Sequence, residues 1–163
     1  MKNILLLLQI TLLALACTRK DPGMFVLLNS RETGVTFNND ITESDSLNIL
    51  DDEFIYNGGG VGVGDFNGDG LSDLYFTGSQ VDNKLYLNRG NMKFEDVTGI
   101  SGTSKTNGQW SSGVNILDIN RDGRADIYVC NTFIANPQKR KNLLLVNQGN
   151  NEQGIPIFTE QAA

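Results

Sequence analysis

Two stretches of the 163-residue sequence carry the same spacing of oxygen-bearing side chains. Asp65-Phe-Asn-Gly-Asp-Gly-Leu-Ser-Asp73 and Asp118-Ile-Asn-Arg-Asp-Gly-Arg-Ala-Asp126 place an acid or an amide at positions 1, 3, 5 and 9, with glycine at position 6. The glycine permits a sharp bend, so several hard oxygen ligands can surround one point. Oxygen-only ligands on a flexible turn favour calcium over zinc or copper, and over magnesium with its strict octahedron.

The predicted calcium ligands are four side chains and one backbone carbonyl in each loop. In the first loop they are Asp65, Asn67, Asp69, Asp73 and the carbonyl of Leu71; in the second loop they are Asp118, Asn120, Asp122, Asp126 and the carbonyl of Arg124. Because position 7 contributes only a carbonyl, it tolerates any side chain. We expect about two calcium ions, one per loop.

An EF-hand is excluded by the residues that follow each loop. Position 12, where an EF-hand needs a bidentate Glu, is Phe76 in one loop and Val129 in the other, and the flanks have the pattern of strands. Paired dockerin-type loops are disfavoured for the same reasons. The remaining alternative is a metal-free acidic turn, in which the clustered carboxylates would raise one another's pKa.

The elements around the loops repeat with an offset of 53 residues. Apolar segments precede and follow each loop, at 60–64 and 74–77 in the first copy and at 113–117 and 127–130 in the second. Asn-x-Gly at Asn88 and again at Asn147 is a hairpin signal, and a strand led by Phe94 or Phe158 follows. Four short antiparallel strands per repeat are typical of a propeller blade.

The sequence therefore predicts an all-β fold of about two propeller blades, as a fragment of a larger propeller. The 18 glycines suit many tight turns. The predicted divisions are a signal peptide (1–16), a lipidated cysteine with its tether (17–24), an N-terminal segment (25–59), the first blade (60–98), a linker (99–112) and a truncated second blade (113–163). The strand expected at 25–28 is a hypothetical ring-closing strand for a last blade beyond Ala163.

The N-terminus has the features of an export signal. Lys2 precedes an apolar run that ends at the small residue Ala16, and this run is too short for an ordinary transmembrane helix. Leu13-Ala-Leu-Ala-Cys17 resembles the lipobox of bacterial lipoproteins, although Ala14 stands where that family usually has leucine. The resemblance implies lipidation of Cys17, export across the inner membrane, and residence in the cell envelope as an outer-membrane lipoprotein.

The remaining composition excludes several functions. The net charge of −6 disfavours nucleic acid as a partner, and the absence of histidine rules out serine–histidine chemistry and histidine zinc sites within this chain. Cys130 is predicted to be a small buried residue in an apolar strand. Trp110, Tyr56 and Tyr86 suit either blade packing, which we favour, or stacking on sugar rings. The extra residues of the second repeat, around 135–141, predict a longer surface loop.

The paired loops between strands resemble the calcium loops of FG-GAP or VCBS repeats. The segments at 57–65, 83–88, 94–98 and 110–114 are similar to the N-terminal region of bacterial lipoproteins with VCBS repeats and a C-terminal ASPIC/UnbV domain, for which this chain has no room. The resemblance implies a non-catalytic binding or adhesion scaffold stabilised by calcium, with an unidentified protein or polysaccharide partner and membrane contact only through the anchor. The alternative is the propeller part of a secreted polysaccharide lyase or hydrolase whose catalytic residues lie elsewhere.

Overall fold

The structure is a computed structural model that describes residues 23–104, 108–132 and 137–162. It contains two four-stranded antiparallel sheets, as the all-β prediction required. The first sheet consists of β1 (Val61–Gly64), β2 (Asp73–Phe76), β3 (Lys84–Asn88) and β4 (Phe94–Asp96). The second sheet consists of β5 (Ser111–Leu117), β6 (Asp126–Asn131), β7 (Leu143–Asn150) and β8 (Pro156–Glu160). The short helices are α1 (Ser30–Thr33), α2 (Thr98–Ser101) and a 3-10 turn (Pro137–Arg140).

Each sheet is a meander in which consecutive strands are neighbours. Gly62 pairs with Tyr75 in the first sheet, and Asn115 pairs with Tyr128 in the second. The 53-residue offset relates these pairs, so the repeat seen in the sequence is also a repeat of strand register. The predicted signal peptide and Cys17 lie outside the described residues.

The two sheets pack face to face, and glycines in β1 make the close approach possible. A Cβ on Gly62 would lie 2.7 Å from Cδ1 of Ile116, and one on Gly64 would lie 3.0 Å from Cγ2 of the same side chain. Such distances leave no space for a side chain. The two sheets form one apolar core: Phe66, Tyr75, Leu85, Leu87, Val97, Ile127, Val129, Leu143, Leu145, Ile155 and Phe158.

The first hairpin turn lies at the predicted position, but the second does not. In the first sheet, Arg89 N donates to the carbonyl of Lys93 across the Asn-x-Gly turn. In the second sheet, β7 continues through Asn150 with a register shift after Asn147, and the chain reverses over 151–154. The longer hairpin has its own turn signal, because Gly154 has φ +73° and its N–H donates to the carbonyl of Asn151.

The N-terminal segment forms no strand in the described structure. Phe25 and Leu27 are exposed, and α1 begins directly afterwards with Asn29 as its N-cap. Farther along, Phe37 stacks on Phe76 at a centroid distance of 5.0 Å, and Thr36 N donates to the hydroxyl of Tyr86. This segment therefore covers part of the first sheet, and its ring-closing role stays a prediction.

The prediction for Cys130 was wrong, because its side chain is exposed. Strand alternation directs Ile127 and Val129 to the core and Cys130 to the opposite face. Trp110 and Tyr86 are buried, as blade packing predicts, whereas Tyr56 is exposed. The part of the 135–141 insertion that the structure describes forms the 3-10 turn, with Lys139 and Arg140 exposed. Within the described ranges, no helix has the length and apolar character needed to span a membrane.

Candidate metal site

The two candidate loops have the same backbone conformation. The glycine at position 6 has φ +84° in both, at Gly70 and at Gly123. Position 4 also has positive φ, +77° at Gly68 and +62° at Arg121. Arg121 is a residue type that adopts this conformation infrequently. The shared geometry therefore belongs to the loop pattern as a whole and does not depend on glycine at position 4.

The acid at position 1 organises each loop. The Asp65 carboxylate accepts hydrogen bonds from the N–H groups of Gly68, Asp69 and Gly70 at 2.8 to 3.1 Å. The carboxylate of Asp118 accepts from the N–H groups of Asp122 and Gly123 at 3.0 and 2.9 Å. Each loop thus wraps its backbone around its first acid.

Positions 3 and 5 form a bonded pair in both loops. The amide of Asn67 donates to Asp69 at 2.9 Å, and the amide of Asn120 donates to Asp122 at 2.8 Å. The bond from Asn67 and the N–H of Leu71 lower the pKa of Asp69. The backbone N–H of Arg124, with help from Asn120, lowers the pKa of Asp122. Both position-5 acids are therefore held in the charged form.

The acids at position 9, Asp73 and Asp126, are buried, and each accepts hydrogen bonds from two separate segments of its sheet. We call them the clamp acids. Asp73 accepts from the N–H of Phe66 at 2.9 Å and from the N–H of Asn88 at 2.8 Å. Asp126 makes the same two bonds with Ile119 and Asn147. Both residues have 0% relative exposure. Each clamp joins the start of its loop to the third strand of its sheet.

The pKa of Asp73 is raised. Burial is the main cause, the N–H groups of Asn88 and Phe66 oppose it, and the negative charges of Asp69 and Asp65 add to it. A cation placed among these carboxylates would favour the charged form of Asp73. The electrostatics of the first loop therefore suit a positively charged ligand.

Position 7 distinguishes the loops. Leu71 has no charge, whereas the guanidinium of Arg124 pairs with the carboxylate of Asp122. Its Nε also donates to the carbonyl of Asn147 at 3.1 Å. Sequence reasoning assigned only a carbonyl to this position and missed the ion pair. The opposite charges of Asp122 and Arg124, two positions apart in the sequence, could have predicted this ion pair.

Two asparagines that support the loops were also missed as site residues. Asn88 Nδ2 donates to the carbonyl of Ser72, and Asn147 Nδ2 donates to that of Ala125, so each asparagine binds the residue before its clamp. Asn147 Nδ2 also donates to the carbonyl of Phe66 at 2.9 Å, and Asn150 Nδ2 to that of Asn67 at 2.7 Å. These two bonds tie the second sheet to the first loop. Their matching repeat positions could have indicated the role of Asn88 and Asn147.

The donor set of each loop fits calcium by its chemistry, because every predicted ligand is a carboxylate, amide or carbonyl oxygen. Among the described residues, the structure gathers no group of three or more Asp, Glu, Cys or His side chains of the kind that encloses a metal ion. The predicted ligands instead contact their loop backbone and one another. Calcium coordination accordingly remains a prediction for both loops.

Comparison with known families identifies an FG-GAP-like repeat at residues 65–129. The matched stretch begins at the first loop and ends in β6, so it includes both loops, the strands β2 to β5 and the first part of β6. FG-GAP-like repeats form propeller-type domains, which agrees with the two four-stranded sheets. A search of curated proteins found no significant match to the chain.

Proposed function

We propose that this chain is a calcium-stabilised, non-catalytic binding or adhesion module of a cell-envelope lipoprotein. The observation that carries the proposal is the duplicated loop, in which the same oxygen donors occupy the same backbone positions in two packed sheets. Calcium bound to the folded loops and absent from the unfolded chain would add its binding free energy to stability. The rigid sheets would then present their rims and connecting loops to a protein or polysaccharide partner.

The raised pKa of Asp73 supports this proposal physically. Asp65 and Asp69 each add negative charge near a buried carboxylate. A divalent cation would relieve this repulsion, whereas the backbone N–H groups supply only partial charges. The first loop is therefore expected to gain more from calcium than the second, in which Arg124 already supplies a positive charge.

The proposal is tested by calcium titration in a calorimeter, paired with thermal unfolding in calcium and in excess chelator. We expect two sites per chain and a stabilisation of about 2.7 kcal/mol per site at 100 times the dissociation constant. That corresponds to a rise in Tm of about 5–10 °C per site. Asp65→Asn and Asp118→Asn should each remove one site, and exposed Asp45→Asn should remove neither. Unchanged unfolding in chelator, with no heat of binding, would contradict the proposal.

The lipoprotein part of the proposal rests on Cys17 and its preceding residues and needs a separate test. Cells that express the chain with an alkyne-bearing fatty acid should label it, and the label should disappear in Cys17→Ser. Cys130→Ser is the matched control, because it removes the other cysteine and should keep the label. Labelling that persists in Cys17→Ser would contradict lipidation at this residue.

A further inference from the structure

A small pocket lies where the segment before β1 meets the start of β5 and the end of β6, at the strand ends away from the two candidate calcium loops. Its volume of about 230 Å³ is smaller than the roughly 300–1,000 Å³ of pockets for drug-sized ligands, so it has room for one small ring. We call it the aromatic pocket, and the residues that line it are Phe54, Asn57, Gly58, Trp110, Ser112 and Thr132.

Backbone contacts hold the two walls of the aromatic pocket together. A Cβ on Gly60 would lie 3.0 Å from the backbone N of Val114 and 3.2 Å from Cα of Gly113, so the chain leading into β1 lies directly on β5. On the other wall, Thr132 N donates to the carbonyl of Trp110 at 2.9 Å. The pocket is therefore formed by the fold itself, as binding pockets usually are.

Phe54 is an aromatic ring held in an exposed position. It is 58% exposed, whereas the neighbouring Ile55 is 0% exposed and anchors the segment. Phe54 N donates to the carboxylate of Asp52 at 2.9 Å, and its carbonyl accepts from Asn57 N at 3.0 Å. Trp110 is 4% exposed and forms a wall. The Phe54 ring is thus a positioned apolar platform, which a ligand can stack on with little loss of conformational entropy.

Polar groups surround this platform with hydrogen-bonding capacity to spare. Among the described residues, the structure gives neither the amide of Asn57 nor the hydroxyl of Thr132 a hydrogen-bond partner. The hydroxyl of Ser112 donates to the carbonyl of Cys130 at 3.2 Å, so its oxygen can still accept. An amide both donates and accepts, as hydroxyl groups do. The set therefore suits a ligand that carries several hydroxyl groups.

The charges around the pocket select among such ligands. None of the described residues that line it is charged. Asp51, Asp52 and Glu53 directly precede Phe54, and the chain has a net charge of −6. The negative potential of these acids would repel an anionic ligand such as a uronic acid. A neutral ligand meets no such barrier.

We propose that the aromatic pocket binds one ring of a neutral carbohydrate. The apolar face of the ring would stack on Phe54, and its hydroxyl groups would bond to Asn57, Ser112 and Thr132. This site rests on the binding function proposed above, and it names a neutral carbohydrate as the partner. It does not use calcium, because the pocket and the loops lie at opposite ends of the strands.

Trp110 is a native reporter of this site, because it is the single tryptophan of the sequence. Its fluorescence would be followed while the chain is titrated, in calcium, with glucose and glucuronic acid, with galactose and galacturonic acid, and with N-acetylglucosamine. We expect at least one neutral sugar to change the emission, with a dissociation constant on the order of 1 mM for a single ring. The acid of the matched pair should bind at least about tenfold more weakly than its neutral counterpart.

Variants at two exposed aromatic residues make the assignment specific. Phe54→Ala should weaken sugar binding about tenfold, and Phe54→Tyr should retain it, because tyrosine keeps the ring. Tyr56→Ala is the matched control: Tyr56 is 59% exposed and lies two residues away, but it does not line the pocket. It should leave the affinity unchanged. Thermal unfolding of each variant shows whether the fold is retained.

Each outcome decides for or against the carbohydrate site. Binding that Phe54→Ala weakens and Tyr56→Ala does not would support it. No response to any neutral sugar up to about 50 mM, well above the expected dissociation constant, would overturn it. Equal loss in the two alanine variants, uronic acids that bind as tightly as neutral sugars, or a response to indole alone would also overturn it.

Calcium titration of the same samples separates this site from the calcium loops. Two calcium sites without sugar binding would overturn the carbohydrate site and leave the calcium proposal standing. Sugar binding without calcium sites would do the reverse.

Discussion

The two repeats have the same clamp and loop backbone but differ in how their strands meet a neighbour. In the first, the second sheet packs closely on three glycines, Gly60 just before β1 and Gly62 and Gly64 within it. In the second, β5 carries Asn115 and Leu117 at two of these positions and faces no sheet on that side within the described residues. The loops differ at position 7, where Leu71 is replaced by Arg124. The comparison separates the residues that form a sheet from the residues that join that sheet to another.

The clamp acids should have the largest effect, and the effect should be equal in both repeats. Asp73→Ala and Asp126→Ala each remove the acceptor of two backbone N–H groups at a buried site. We expect each to lower the free energy of unfolding by about 3 kcal/mol. Urea denaturation in chelator measures this loss without a contribution from calcium.

The control for the clamp is Asp73→Asn, which keeps one acceptor oxygen and should cost about half as much. A cost below about 1 kcal/mol for either alanine variant would show that the N–H groups find other partners. A large loss of stability at only one of the two sites would show that the clamp acids do not have equivalent roles in the two repeats.

Glycine in β1 should matter where the equivalent position in β5 does not. Gly62→Val places atoms against Ile116 and should cost about 2–3 kcal/mol through overpacking. Asn115→Val introduces the same side chain at the exposed equivalent position and should change stability by less than about 0.5 kcal/mol. Thermal or urea unfolding measures the loss of stability in both variants. Similar losses would contradict the difference in packing between the two positions.

Exchange of the position-7 residues should exchange the calcium affinities of the loops. Arg124→Leu removes a cation from the second loop, and we expect calcium to bind that loop about fivefold tighter, equivalent to about 1 kcal/mol. Leu71→Arg should weaken the first loop by a similar factor. Arg124→Lys preserves the charge and should leave the affinity within about twofold. Calorimetric titration measures the three variants, and tighter binding by Arg124→Lys would indicate a steric effect.

The smallest effect concerns an ion pair present in only the first repeat. Lys84 binds Asp96 at 2.9 Å, whereas Leu143 occupies the position of Lys84 in the second sheet. Burial favours a higher pKa for Asp96, but bonds from Thr98 and Lys84 outweigh it, so the pKa lies below its ordinary 3.8. Stability from this carboxylate is therefore complete above that value and is lost as the pH falls through the lowered pKa.

Asp96→Asn tests this dependence on pH. Both members of the pair are more than one-third exposed, so solvent reduces the contribution to about 0.5 kcal/mol. Between pH 5 and pH 2.5 the wild type should lose about that much more stability than Asp96→Asn. Parallel stability curves for the two proteins across this range would refute the assignment.

Some site residues were predictable and others were not, for physical reasons. The spacing of acids, amides and glycine identified both loops because a tight turn requires these residue types at particular positions. The spacing did not show that Asp73 and Asp126 clamp a strand that begins 11 or 17 residues later, since those contacts arise only after the strands pair. The Arg124 ion pair was missed because side-chain direction depends on the folded loop.

The sequence by itself determined the eight strands of the two sheets, their grouping in two sets of four and the two loops. Alternation, turn chemistry and repetition are local properties of the chain. Only the tertiary structure decided which strand faces meet. Cys130 is apolar in sequence context yet exposed, and Thr77 is polar yet buried, because burial depends on whether a second sheet covers that face. Packing between distant segments is therefore what separates two repeats that are nearly equivalent in sequence.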